Sequence, residues 1–227
     1  MKNEIKFKYS FDYFDHALCF DLAQYETGVA LINIKNNKIE YIKQISVEDK
    51  DICPMSIIYD KFNDIWNDIK NIIDVEKMFI VKEQCPQGSR FSTIKTLQSL
   101  ARVHGVVDLW IAHKGLKVYS YDGIHASSIK AALKRLIGAD KPTKEQIKEY
   151  IFNNLNHNFK WDDVTLDISD SIAVFLCLKE SKWNIDILEE MKNVKKKIKE
   201  LKKEKAKMEK QKELSRLENL LIKKEEN

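Results

Sequence analysis

"HALCFDLAQYETGVALINIKNNKIEYIKQIS", residues 16–46, decides the fold. "HALCFDLA" (16–23) reads as a buried strand, and "TGVALINIK" (27–35) and "KIEYIKQIS" (38–46) as two more. Asn36 and Asn37 between alternating apolar runs suit a tight hairpin, so the three strands form an antiparallel meander. One residue does not belong in such a core. Asp21 lies inside "LCFDLA", where a carboxylate is expensive to bury without a partner.

Beyond the meander, "MSIIYDKFNDIWNDIKNIID" (55–74) sets Ile58, Phe62, Ile65, Ile69 and Ile72 at helical spacing. The short apolar run "KMFIVKE" (77–83) is a strand that ends on Glu83. In the segment 89–113, Ile94, Leu97, Ala101, His104 and Ile111 fit one helix, with Gly105 and the Val106–Val107 pair arguing locally against it. "LKVYSYDG" (116–123) reads as a strand. "HASSIKAALKRLIG" (125–138) reads as a helix ended by Gly138, and "KPTKEQIKEYIFNNL" (141–155) as a helix capped by Thr143. The order of strands and helices is that of an α/β protein with a mixed sheet.

"LDISDSIAVFLCL" (166–178) opens a last apolar helix with Asp167 and Asp170, whose i, i+3 spacing points them the same way. Asp167 could be an N-cap and Asp170 could favour the helix dipole. Asp21 could bond a nearby backbone group or lysine, and Glu83 could be a solvated strand end. Capping accounts for the pair on the helix and leaves Asp21 unexplained. If strands one and four are neighbours, the four acids meet at one edge of the sheet. There they would repel and raise one another's pKa values unless cations lay between them. Hard divalent ions with oxygen ligands meet that need, and two of them about 3.5–4 Å apart make the clamp used in phosphodiester hydrolysis.

Composition bounds the alternatives. The chain has 227 residues, enough for one sizeable core and an appendage. No apolar stretch reaches the roughly 18 residues that cross a bilayer. The polar N-terminal stretch lacks a secretory apolar region, so a cytoplasmic protein is expected. The four cysteines, Cys19, Cys53, Cys85 and Cys177, form no CxxC pair and read as reduced thiols, some of them in the core. There is no GxGxxG, GKS or GKT, hence no phosphate-cradling loop. Of 39 Lys+Arg and 35 Asp+Glu, 14 and 10 fall from Asp186 onward, so the preceding residues carry 25 of each. The body is formally neutral and the positive excess sits on a tail, so nucleic-acid binding has to be argued from local patches. In the tail, Ile187, Met191, Val194, Ile198 and Leu201 follow a 4-3-4-3 rhythm that restarts at Leu214, Leu217 and Leu221. That pattern fits a short coiled coil or a solvated helix.

From His16 to Lys179 the chain resembles the RuvC family of Holliday-junction resolvases, which have an RNase H-like fold. "CFDLAQYETGVALI" resembles the family's opening Asp followed six and seven residues later by Thr-Gly, here Thr27 and Gly28. "FIVKEQ" is similar to its strand ending in Glu-Gln. "TLQSLARVHGVV" resembles its Ala-Arg-x-x-Gly-Val helix, which packs the homodimer. "LIGADKPTKEQIKEYI" and "DISDSIAVFL" resemble its Gly-x-x-x-K-x-Q-V and Asp-x-x-Asp-(Ala/Ser) segments. Leu22, Ala23 and Gln24 depart from the family's Pro-Gly-Ser, and Pro86 stands where the family has an aromatic wedge. Sparse Gly and Pro with abundant Lys, Ile and Asn are similar to phage-type or low-GC bacterial members.

The resemblance implies a five-stranded mixed sheet flanked by helices over 16–185, an extension over 1–15 and a lysine-rich helical tail over 186–227. It implies that Asp21, Glu83, Asp167 and Asp170 bind two Mg²⁺ or Mn²⁺ ions and cut four-way or branched DNA to 5′-phosphate and 3′-hydroxyl ends. Lys130 and Lys144 would hold phosphates, and a homodimer would present two sites to one junction. Phe91, the nearest aromatic to the wedge position, would touch DNA or pack in the core. The tail would extend the dimer, recruit a protein, or lie along DNA, which its charge favours. Another RNase H-like nuclease, acting on hybrids or in transposition, and a non-catalytic coiled-coil protein are the alternatives.

Overall fold

The computed structural model describes residues 13–47, 54–86 and 93–181, together with 197, 208 and 211. The chain divides into two compact units, Met1–Glu180 and Ser181–Asn227. In the first unit, β1 (His16–Asp21), β2 (Glu26–Asn33) and β3 (Lys38–Ser46) form the expected antiparallel meander. The hairpin loop is longer than an Asn-Asn turn and spans 34–37. The Asn33 side chain starts it by accepting from the Lys35 and Asn36 amides, and Asn37 takes the left-handed conformation.

The chain then crosses as α1 (Pro54–Ile69) to β4 (Met78–Lys82), which pairs parallel with β1. After α2 (Ile94–Lys114), the two-residue β5 (Lys117–Val118) pairs parallel with β4. The sheet order is β3-β2-β1-β4-β5. Three more helices complete the unit: α3 (Ala126–Ile137), α4 (Lys144–Asn154) and α5 (166–181). Gly138 ends α3 at φ 76°, and Thr143 opens α4 with a reciprocal capping box to Gln146.

Strand alternation splits the core into two layers. Leu18, Phe20, Leu31 and Ile80 face α1 and α2, packing on Phe62, Val107 and Trp110. Ala17, Cys19, Phe79 and Val81 face α3, α4 and α5, packing on Ile129, Ile151 and Ile172. Each such large apolar side chain withdrawn from water contributes about 1.5–3 kcal/mol. Sheets buried on both faces need apolar residues at consecutive positions, which is why β1 and β4 read as unbroken apolar runs.

Three expectations change. The helix read over 55–74 stops at Ile69, and Ile72 is 61% exposed. There the chain turns back toward the sheet, and the Asp74 carboxylate accepts from the Glu76 amide to start a 3₁₀ turn over Val75–Lys77. The strand read over 116–123 shortens to two residues. Beyond it the chain follows β4 irregularly, with the Ile124 amide donating to the Lys82 carbonyl and the Gln84 amide to the Ile124 carbonyl. On α2 the buried face is Val103, His104, Val107, Trp110 and Ile111. Ile94 and Ala101 of the expected face point to solvent, because the helix continues unbroken through Gly105 and its apolar stripe is set by its second half.

Cys19 and Cys177 are buried thiols and Cys85 is a half-buried one; Cys53 lies outside the described residues. The apolar rhythm of the tail, from Ile187 to Leu221, also lies outside them; Lys197, Met208 and Gln211, which are not part of it, are each helical. No described helix is long and apolar enough to cross a membrane.

Candidate metal centre

Register brings the first two acids together. Phe20 of β1 lies opposite Lys82 of β4, so the next residues, Asp21 and Glu83, stand side by side at the strand ends. The Glu83 amide donates to the Phe20 carbonyl at 3.4 Å. Both acids continue the alternation of Ala17–Cys19 and Phe79–Val81 and therefore share the face covered by α3, α4 and α5.

The other two arrive with α5. Gly28 of β2 pairs with Asp21, and the start of α5 rests directly on it. A Cβ at position 28 would lie 2.0 Å from the Asp167 carbonyl oxygen, so only glycine admits the helix this close to the strand. The preceding Thr27 is fully buried and clamps the turn that follows Asp21. Its hydroxyl donates to the Ala23 carbonyl at 3.1 Å and accepts from the Ala23 amide at 3.3 Å. Capping does not explain the acid pair on α5. Thr165 takes that part, its Oγ1 accepting from the Ile168 amide at 3.3 Å, which leaves the side chain of Asp167 for another role.

Asp21, Asp167 and Asp170, all half-buried, each offer a carboxylate oxygen, and these oxygens lie within 4.8 Å of one another. Glu83 stands beside this trio and lines one cavity with Asp21 and Asp170. Burial, together with the charges of Asp170, Glu83 and Asp167, pushes the Asp21 carboxyl up to about 7. Glu83 is raised by burial and by Asp170, against the fields of Lys130 and His125. Such mutual repulsion is what a bound cation relieves. An all-carboxylate donor set without thiolate or imidazole suits Mg²⁺ or Mn²⁺, so the residues present fit the expected ions.

The expected basic residues are close by. Lys144, the first residue of α4, donates to Asp170 Oδ2 at 2.8 Å, and that bond raises its pKa. Lys130 of α3 lines the same cavity as Asp21 and Glu83. Phe91 lies outside the described residues.

Three further residues shape the site. Gln44 of β3 donates from Nε2 to Asp167 Oδ2 at 3.3 Å, orienting that carboxylate from across the sheet. Gly123, at φ 83°, packs against Glu83, where a Cβ would come within 2.7 Å of its carbonyl oxygen. His125, which precedes α3, is the imidazole whose field reaches Glu83. A glutamine at a half-buried strand position carries no signal in the sequence. Gly123 does carry one, since "YDG" marks a turn.

No protein-family model matches the sequence, and no curated protein matches it. Solved structures do. Thermus thermophilus RuvC in complex with a Holliday-junction substrate superposes with a TM-score of 0.52 at 9% identity, covering 73% of this chain and 93% of that one. A second T. thermophilus RuvC structure gives 0.51 at 10% identity over the same shares. The human cytomegalovirus terminase nuclease domain overlaps with a TM-score of 0.43 at 13% identity, covering 74% of this chain and 86% of that domain. The fold is RNase H-like: a mixed five-stranded sheet flanked by helices.

Proposed function

We propose that this chain is a metal-dependent endonuclease that cuts branched DNA, four-way junctions foremost, leaving 5′-phosphate and 3′-hydroxyl ends. The observation that carries the reading is the convergence of Asp21, Asp167 and Asp170 within 4.8 Å at the ends of the interior strands β1 and β4, with Glu83 beside them. That cluster stands on the fold that T. thermophilus RuvC also has.

Two divalent ions bound there would supply an activated water and neutralise charge at the leaving 3′-oxygen. Asp21, Glu83, Asp167 and Asp170 hold them. Gln44 and Gly28 keep Asp167 in place. Lys144 and Lys130 grip the scissile or flanking phosphate, a positioning role without sequence information. A homodimer is part of the reading. Ile94, Ala101, Gly105 and Leu109 share the face of α2 that turns away from the core, and all four are exposed. A Cβ at Gly105 would meet nothing within 4 Å, so a second helix has room to approach there. The tail is read as a basic arm along DNA.

The test is cleavage of a synthetic four-way junction in Mg²⁺, beside an RNA–DNA hybrid and a linear duplex. Asp167→Asn combined with Asp170→Asn abolishes cutting while junction binding persists. Cutting by that double variant removes the acids from the chemistry, and a preference for the hybrid moves the protein to another class of RNase H-like nuclease.

A further inference from the structure

Trp161 stands in the loop between α4 and α5 and is 44% exposed. Its ring is nonetheless fixed. The Phe152 ring packs against it at 4.9 Å between centroids, and Lys148 Nζ lies over it at 4.4 Å. Phe152 and Lys148 sit one turn apart on α4, so both hold the indole from the helix side and leave the rest of it to solvent. The loop itself is tied down on either side of the ring. The Asn156 amide donates to the Asn37 carbonyl at 3.0 Å and the Ile39 amide to the Asn156 carbonyl at 2.8 Å. The Lys160 amide donates to the Asp163 carboxylate at 2.8 Å. A tryptophan held still with much of its surface in water forgoes burial energy, and such a ring is suited to making a contact.

The ring lies on a line that leads back to the acids. Lys144, one turn before Lys148 on the same side of α4, donates to Asp170 Oδ2. Neighbours in such a row are about 5–6 Å apart. Glu145 and Glu149, both exposed, stand about 100° further round the helix, so the basic row is one lysine wide. A duplex presents two rows of phosphates and would meet those glutamates, whereas a single strand can follow the lysines alone. A methylated ammonium ligand would find the cation position over the indole already filled by Lys148. An apolar peptide would have no use for the lysines. A single DNA strand uses each part, its phosphates pairing with the lysines and one base stacking on the indole.

We propose that Trp161 and the Lys144–Lys148 row bind an unpaired DNA strand that leaves the branch, and that a branch carrying such a strand is the preferred substrate. The proposal rests on the nuclease reading and names its substrate class more closely. Stacking of one base on an aromatic ring is worth about 5–150-fold in affinity. Every base has a π-face, so the preference is for an unpaired strand and not for a sequence.

The test compares a four-way junction with the same junction bearing a short thymidine flap at the branch, in each polarity. Binding is measured by fluorescence anisotropy in Ca²⁺, and cutting is followed separately in Mg²⁺. Wild type should bind one flapped junction about tenfold more tightly than the fully paired one. Trp161→Leu keeps an apolar contact for Phe152 and has no flat π-face, so it should bring that ratio to about one, while Trp161→Phe should keep most of it. Equal affinity of wild type for all three junctions overturns the platform, and so does a Trp161→Leu protein that keeps the wild-type ratio. Either result, with the paired junction still cut in Mg²⁺, leaves the nuclease reading standing. Failure to cut any of the three junctions overturns that reading, while the binding ratio still decides the platform.

Discussion

Gln44 shows how a neutral side chain can matter to a charged site. Its amide donates to Asp167 Oδ2 and so holds one lone-pair direction of a carboxylate proposed to hold a cation. Outer hydrogen bonds of this kind orient ligands, and their loss typically costs about 10–100-fold in metal affinity. Gln44→Leu should weaken Mn²⁺ binding by about tenfold, measured by calorimetric titration, with the melting temperature little changed. Equal affinity in the variant would show that Asp167 needs no such support. Asp21, by contrast, was legible from its neighbours, because a carboxylate between phenylalanine and leucine in a buried strand requires a reason. Gln44 was not, because alternating strands present polar residues on their open positions as a matter of course.

The contact between β4 and α2 carries a second polar group far from water. Lys82, 2% exposed, points to the opposite face of the sheet from its neighbour Glu83 and is ion-paired with Asp108 of α2. Removing one partner strands a buried charge, whereas replacing the cation by an apolar side chain of similar length does not. Asp108→Ala should therefore cost about 3 kcal/mol in denaturant unfolding, and Lys82→Met close to nothing. His104, 6% exposed, lies on the same side of α2. Burial, with the field of Lys82 added and that of Asp108 opposed, pushes its pKa from the ordinary 6.5 down to about 4. The unfolded chain then binds that proton more readily than the folded one. Stability present above about pH 6.5 is lost as the pH falls toward 4, by about 3 kcal/mol at most. Melts of wild type and His104→Leu across that window check it, the variant giving the shallower decline. At this scale the helical period correctly placed His104 and Ile111 inside. It placed Ile94 and Ala101 wrongly, since a stripe counted over a long helix says nothing about where along it the core ends.

For the whole molecule, the proposed homodimer turns on the exposed stripe of α2. Ile94 is 77% and Leu109 50% exposed, on one face with Ala101 and Gly105. Leu109→Arg should convert a dimer into a monomer in sedimentation velocity, because a charge at the centre of a close helix contact is left without a partner. It should also separate the two cuts on one junction into independent events. A dimer that survives the substitution would move the interface elsewhere. Deletion of residues 190–227 should lower the salt slope of junction binding, since each lysine that neutralises a phosphate releases counterions; an unchanged slope would remove the tail from DNA.

What the amino-acid sequence determined by itself was local. It set the antiparallel meander, the strand that leads into Glu83, the caps at Gly138 and Thr143, and the acids that sit where acids are costly. Those features depend on residues within a few positions of one another, so periodicity and turn chemistry suffice to read them. The tertiary structure alone decided that Asp167 would lie on Gly28, that Gln44 would reach it from β3, and that a cavity would open between α3, α4 and α5. Those outcomes depend on how separate elements cross and how closely their backbones approach, which is a property of packing in three dimensions rather than of pattern along the chain.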